Sequence, residues 1–114
     1  METEMINFMN LDIRDYEEIY SHQGKIEGRI NSCKISSLIR SLDEDFKTSL
    51  GNAKAIAIEF EYNKDEIPIK IFEAYEEICL NANEHAIVIF AKIISNNLEL
   101  GSINYKIIAT GILV

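Results

Sequence analysis

The segment from Ala53 to Tyr62 constrains the fold more than any other part of this sequence. Large apolar side chains alternate there with small or acidic ones, a pattern that predicts a β-strand with two different faces. The large side chains belong to Ile56, Ile58, Phe60 and Tyr62, and the others to Ala55, Ala57, Glu59 and Glu61. The first face needs a covering layer, and the alanines near the start of the strand let a helix pack closely on the second face.

Capping residues and apolar spacing predict three helices in the remaining sequence. Asp12 can cap a first helix, and Pro68 suits the first turn of the last one, where its missing N–H is not needed. Between Ile35 and Phe46 the apolar residues recur at spacings of three and four, as on one face of a helix. The predicted helices run from Asp12 to about His22, from a cap at Asn31 or Ser32 to about Leu50, and from Pro68 to about Leu80.

Three further strands are predicted, over residues 25–31, 86–94 and 103–113. Residues 86–94 are almost all apolar, which is typical of a central strand covered on both faces. The connection to the last strand is short, so we expect these two strands to be antiparallel neighbours. The element order predicts an α+β fold with a four-stranded mixed β-sheet covered by helices, and residues 1–114 are expected to form a single domain.

Charge and composition narrow the classes of partner. The formal net charge is −8 and the acids are spread along the chain, which argues against binding to nucleic acid or to an anionic membrane surface. The acidic start, Met1 to Glu4, differs from a signal peptide, and the apolar runs are too short to span a bilayer. We therefore expect a cytoplasmic protein in which Cys33 and Cys79 are buried, reduced thiols.

The sequence offers little for an enzyme that acts alone. Its five glycines are too dispersed to form a phosphate-binding loop, so no nucleotide cofactor is expected. His22 and His85 are far apart in the sequence and have no acidic or cysteine partner at a catalytic spacing. The acids between Asp12 and Glu18 are explained as a solvated helix start, and we predict no metal site.

One short motif, Asn10 to Asp15, has two interpretations. Asp12 and Asp15 are three positions apart at a predicted helix start, where Asp12 can accept a hydrogen bond from the N–H of Asp15. In that interpretation the carboxylates only cap the helix. Alternatively, two carboxylates and the Asn10 amide on an exposed turn can orient a water molecule for attack on a substrate held opposite.

The motif also resembles a known family. Asn10 to Asp15 is similar to the synergy loop of the bacterial division protein FtsZ, whose pattern is Asn, any, Asp, any, any, Asp. Further resemblances follow in the family's order at Gly51–Ile58, Ile71–Ile78, Ala86–Phe90 and Lys106–Ile112, the last containing the Ala-Thr-Gly of the family's closing strand. Together they cover residues 6 to 113 and imply an FtsZ or tubulin C-terminal-domain-like fold, with the synergy loop at about residues 7–15.

The sequence also departs from the family. The GTP-binding half of FtsZ has no counterpart, and nothing after Val114 corresponds to the tail that recruits membrane anchors. Lys25 to Ile30 replaces a Met- and Gly-rich segment, and Ala91 stands where the family usually has glycine.

The resemblance implies a function in trans. In FtsZ filaments one subunit binds GTP and the synergy loop of the next subunit supplies the acids that position the attacking water. Carried over, Asn10 would contact the surroundings of the nucleotide, while Asp12 and Asp15 would orient the water. The implied partner is FtsZ or a related tubulin-like GTPase, and the implied role is a filament cap or regulator. The alternative is an interaction module unrelated to FtsZ assembly, in which the loop serves only as a helix cap.

Overall fold

The structure, a computed structural model, describes Ile19 and residues 21–112. Ile19 is helical, and the rest of the predicted first helix up to Asp12 lies outside the described residues. A 3-10 turn, Ile35–Ser37, follows the first strand. The helices are α1 (Leu38–Ser41), α2 (Glu44–Asn52) and α3 (Pro68–Leu80), and the strands are β1 (Lys25–Lys34), β2 (Ala55–Asn63), β3 (Ile87–Ser95) and β4 (Ser102–Ile112).

The strands form one four-stranded mixed sheet in the order β1–β4–β2–β3. Strand β2 is parallel to β3 and antiparallel to β4, and β4 is antiparallel to β1. Ile58 lies at the centre of β2, opposite Phe90 on one side and Ile107 on the other. The α+β class and the four-stranded mixed sheet covered by helices are thereby confirmed.

The predicted position of β3 is wrong. It lies at the edge of the sheet rather than at its centre, and β2 separates it from β4. The β2–α3–β3 unit is a parallel crossover, which places β3 beside β2. The short connection after Ser95 then passes the end of β2, a step of two strand spacings or roughly 10 Å. Strands β3 and β4 still run in opposite directions, but they do not pair.

The second predicted helix is also broken and shorter than expected. Strand β1 continues to Lys34, past the predicted caps Asn31 and Ser32. A new helix starts after Asp43, whose carboxylate accepts a hydrogen bond from the N–H of Phe46 at 3.1 Å. Arg29 holds Asp43 by two hydrogen bonds of 2.8 and 3.0 Å. This bidentate pair lowers the pKa of Asp43 to about 2.

The main core fills the space between the three helices and one face of the sheet. It contains the large apolar face predicted for β2, together with alternate residues of β4 and the inner faces of the helices. Cys33 and Cys79 are free thiols, but both are half-buried rather than buried as predicted. Burial raises the pKa of the Cys33 thiol.

Candidate functional site

The second face of the sheet anchors Ile19, a residue that follows the predicted synergy loop closely in the sequence. Ile19 is 1% exposed and packs in a separate apolar cluster with Ala55, Ala57 and Ile108, beside the half-buried Ile89. The alanines of β2 leave the space that the Ile19 side chain fills. The sequence predicts a helix packed closely on this small-residue face near the start of β2, and Ile19, the described helical residue of that segment, packs there.

A hydrogen bond from β4 also holds the backbone of Ile19. The hydroxyl of Thr110, a residue with no exposed surface, donates to the backbone carbonyl of Ile19. The Thr110 carbonyl in turn accepts from the N–H of Lys54 at 2.9 Å, just before β2 begins. One residue of β4 thus holds both the N-terminal segment and the entry into β2.

Two glycines let the chain pass close to β4 between Ile19 and β1. Gly111 has a φ of 67°, and a Cβ there would lie 2.9 Å from the Cβ atoms of both His22 and Lys54. Gly24 has a φ of 127°, and a Cβ there would lie 2.8 Å from the carbonyl oxygen of Ile112. Other residues are strained at such φ values and would also clash here. The Thr-Gly pair of the closing strand therefore has a specific structural role in holding Ile19 and His22.

Farther along the same face the side chains become polar. The Lys106 ammonium lies 3.5 Å from the Glu59 carboxylate, whose side chain is only 3% exposed. The Asn104 amide donates to Glu61 at 3.1 Å and accepts from the Ser32 hydroxyl at 2.6 Å. Among the described residues, Glu59 Oε2 has no hydrogen-bond partner. Hydrogen bonding on this half of the face is therefore incomplete within the described part of the chain. An unpaired buried acceptor of this kind is unfavourable for stability.

The residues that the sequence assigns to the site, Asn10, Asp12 and Asp15, lie outside the described residues. Their roles stay predictions. The structure describes what comes next, an anchor formed by Ile19, Thr110 and the alanines of β2. Sequence reasoning included Thr110 in a matching motif but did not assign it a contact, because the contact joins residues far apart in the sequence.

The opposite side of the molecule has a surface cleft of about 620 Å³ between α3 and the turn after β1. Its rim combines Lys34 and Lys70 with Glu73 and Glu77, a mixture typical of a solvated helix face. In the described residues, no three His, Cys, Asp or Glu side chains converge as metal ligands. That part of the chain also contains no helix with the length and apolar character needed to cross a bilayer.

Comparisons with solved structures identify the fold. No protein-family model and no curated protein sequence matches this chain. The structure superposes on an empty FtsZ dimer from M. jannaschii with a TM-score of 0.67 and 17% identity over 90% of this chain. A mutant FtsZ from the same organism gives 0.67 and 18% over 91%. The chain has the fold of the FtsZ C-terminal domain. It spans about a third of those FtsZ chains, 32% and 33% of their lengths.

Proposed function

We propose that this chain binds a subunit of FtsZ, or of a related tubulin-like GTPase, through the segment that contains Asn10, Asp12 and Asp15. The fold carries the proposal, since the structure matches FtsZ over 90% of this chain. The ordered motif resemblance supports it, because the synergy-loop pattern precedes the fold at the position expected from the family. Such a partner would place the chain in the cytoplasm.

The anchor of Ile19 gives the proposal a structural basis. A loop that positions water on another subunit must project from a fixed point, because misplacement by about 1 Å costs catalysis roughly a hundredfold. Ile19 follows Asp15 closely in the sequence and is buried against Ala55 and Ala57. Its backbone carbonyl accepts a hydrogen bond from the Thr110 hydroxyl. These contacts fix Ile19, which follows the predicted loop closely in the sequence.

The chemistry would occur on the partner. The partner binds GTP, and phosphoryl transfer to water depends mainly on positioning and on electrostatic stabilisation. Asn10 would contact the surroundings of the nucleotide, and the carboxylates of Asp12 and Asp15 would orient and polarise the attacking water. In this scheme the chain supplies half of a catalytic site in trans and needs no cofactor.

Head-to-tail assembly requires two different surfaces on every subunit. The 114 residues contain no glycine-rich phosphate loop, so this chain would present the loop surface without a nucleotide surface. A filament end occupied by it would not accept the next subunit. We therefore assign the chain the role of a cap or assembly regulator.

The test combines light scattering with phosphate release, using purified FtsZ from the organism that encodes the chain. The wild-type chain is expected to lower polymerisation in a dose-dependent way. Asp15→Asn keeps the side-chain shape but removes its charge, so this variant should still cap filaments while failing to stimulate GTP turnover. Docking relies on a surface of about 800 Å² on each partner, and one carboxylate should not abolish it.

Asp65→Asn is the matched control, because it makes the same change in the exposed turn after β2, and the strand separates this turn from the Ile19 anchor by about 26 Å. It should behave like wild type in both assays. If the wild-type chain changes neither signal at a several-fold excess over FtsZ, the proposal is refuted.

The alternative, an interaction module unrelated to FtsZ, predicts a different outcome for the same variants. If Asp12 and Asp15 only cap a helix, their substitution should lower thermal stability by about 1 kcal/mol or less and leave both FtsZ assays unchanged.

A further inference from the structure

Among the residues that the structure describes, strand β3 leaves one side of the sheet open. Within the described part of the chain it pairs with β2 alone, over the whole of Ile87–Ser95. Its single charged residue is Lys92, and the side chains of Ile87 and Ile94 are 41% and 56% exposed. Natural edge strands are usually short, bulged or rich in charge, and a long, regular, apolar edge readily pairs with another strand.

The backbone groups on this open edge can be assigned from the pairing with β2. The Ile87 N–H donates to the Lys54 carbonyl at 2.9 Å, and the Ser95 carbonyl accepts from the Lys64 N–H at 3.3 Å. In a parallel pair, alternate residues direct both backbone groups to the neighbouring strand. The odd-numbered residues of β3 therefore face β2. The residues whose N–H and C=O groups face outward are Val88, Phe90, Lys92 and Ile94.

This edge is complementary to itself in one antiparallel register. If two copies meet around a two-fold axis at Ala91, Val88 of each copy lies opposite Ile94 of the other, and Phe90 lies opposite Lys92. Every outward-facing N–H and C=O of the strand then has a partner. Val88 and Ile94 form a β-branched apolar pair, and the aliphatic stem of Lys92 lies beside an aromatic ring.

Neighbouring registers are poorer. Centring the pair on Lys92 would place two ammonium groups directly opposite each other, which is destabilising. Centring it on Phe90 would move Ile94 beyond the end of the partner strand, leaving its backbone groups without a partner. The register at Ala91 also places two small side chains at the axis, where directly opposed strands approach most closely.

Helix α3 extends the apolar surface beside the edge. The Phe72 ring is 51% exposed and lies 6.5 Å from the ring of Tyr75, which in turn lies 4.6 Å from the ring of Phe90 on β3. Ile69, one turn before Phe72, is 56% exposed. A two-fold axis normal to the sheet keeps both copies of α3 on the same side, so these side chains can face their counterparts.

We propose that two copies of this chain associate through their β3 edges, antiparallel around Ala91, and join their two sheets into one continuous sheet. This association uses neither the N-terminal loop nor FtsZ, so it can be tested with the purified chain alone. Each copy carries a net charge of −8, and screening of this repulsion by salt should strengthen the dimer.

Sedimentation equilibrium across a range of concentrations measures the association. A reversible monomer–dimer equilibrium is expected for the wild type. Ile94→Lys alters two symmetry-related contacts and should raise the dissociation constant about tenfold or more. Ile30→Lys, at a side chain 44% exposed on the opposite edge strand β1, is the matched control and should leave the constant unchanged. Circular dichroism of each variant reports whether it is folded.

Disulfide formation tests the register directly, in a background where Cys33 and Cys79 are replaced by serine. Ala91→Cys should cross-link two copies on mild oxidation, because directly opposed residues lie within disulfide distance. Ile89→Cys and Ile93→Cys should each fail alone and cross-link when mixed. The proposal is overturned if the chain stays monomeric at every concentration. It is also overturned if the dissociation constant of the dimer is unchanged by Ile94→Lys and Ala91→Cys does not cross-link.

Discussion

Replacing Thr110 by valine tests the anchor of the N-terminal segment most sharply. Valine keeps the branched shape that suits β4 but lacks the hydroxyl that donates to the Ile19 carbonyl. Losing the hydrogen bond costs about 1 kcal/mol, rising towards about 3 kcal/mol if the carbonyl stays buried without another donor. Because 1.4 kcal/mol is a factor of ten, the population with Ile19 detached should rise roughly five- to a hundredfold.

Hydrogen exchange of peptides that include Ile19 measures this detachment, and urea unfolding measures the global stability. Thr110→Ser is the matched control, since it keeps the hydroxyl and loses one methyl group, a change worth about 1 kcal/mol. We expect faster exchange around Ile19 in Thr110→Val but near wild-type exchange in Thr110→Ser. Equal exchange in wild type and Thr110→Val would refute the claim that this hydroxyl holds the segment.

Three further predictions concern the fold. Ile58→Ala, in the fully buried centre of β2, should lower the free energy of unfolding by about 2–5 kcal/mol, whereas Ile89→Ala, on the half-buried edge strand, should cost clearly less in urea denaturation. The Asp43 pKa is lowered to about 2 chiefly by Arg29, so the pair stabilises the fold at pH values above the unfolded-state pKa of Asp43, near 4. This contribution is lost as the pH falls through about 2. Carboxyl NMR of Arg29→Gln should show the Asp43 pKa rising toward its ordinary value. Gly111→Ala places a side chain at a φ of 67° and creates a clash with two Cβ atoms. It should lower the melting temperature, since the left-handed conformation alone costs about 1–2 kcal/mol. An unchanged melting temperature would show that β4 can move away from these atoms.

The sequence predicts local structure well where local signals agree. Helix α3 begins and ends at the predicted residues because Pro68 suits its first turn and a polar Asn81 ends its apolar pattern. The two faces of β2 follow directly from its alternation. Strand alternation and helix capping are short-range effects, so one sequence contains all the information that they need.

Strand order is a different kind of property. The apolar run at Ile87–Ile94 looks like a central strand, yet both faces of β3 are only partly buried. Helix α3 packs against Phe90, while Lys92 and Ile94 on the same face are exposed. Which side of β2 the last strand takes depends on packing between distant segments, and a short connection permits both answers. The break before α2 did have a local signal, because Asp43 followed by two acids is a helix start.

The candidate site likewise has a part that is visible in the local sequence and a part that depends on contacts between distant segments. The loop Asn10–Asp15 is a contiguous motif and is visible in the sequence, whereas the anchor joins Ile19 to Thr110 across most of the chain. Glu59 and Lys106 are likewise brought together only by the register of β2 with β4. Contacts of this kind follow from the three-dimensional pairing and have no signature in either segment alone.

Direct binding to FtsZ tests the central claim most directly. Fluorescence anisotropy of the labelled chain, titrated with FtsZ from the same organism in the presence of GTP, should show saturable binding with a dissociation constant of about micromolar order. Unlabelled wild-type chain should compete, and so should Asp65→Asn. A flat titration up to roughly millimolar FtsZ, with the chain folded and the FtsZ active in GTP hydrolysis, would contradict the account.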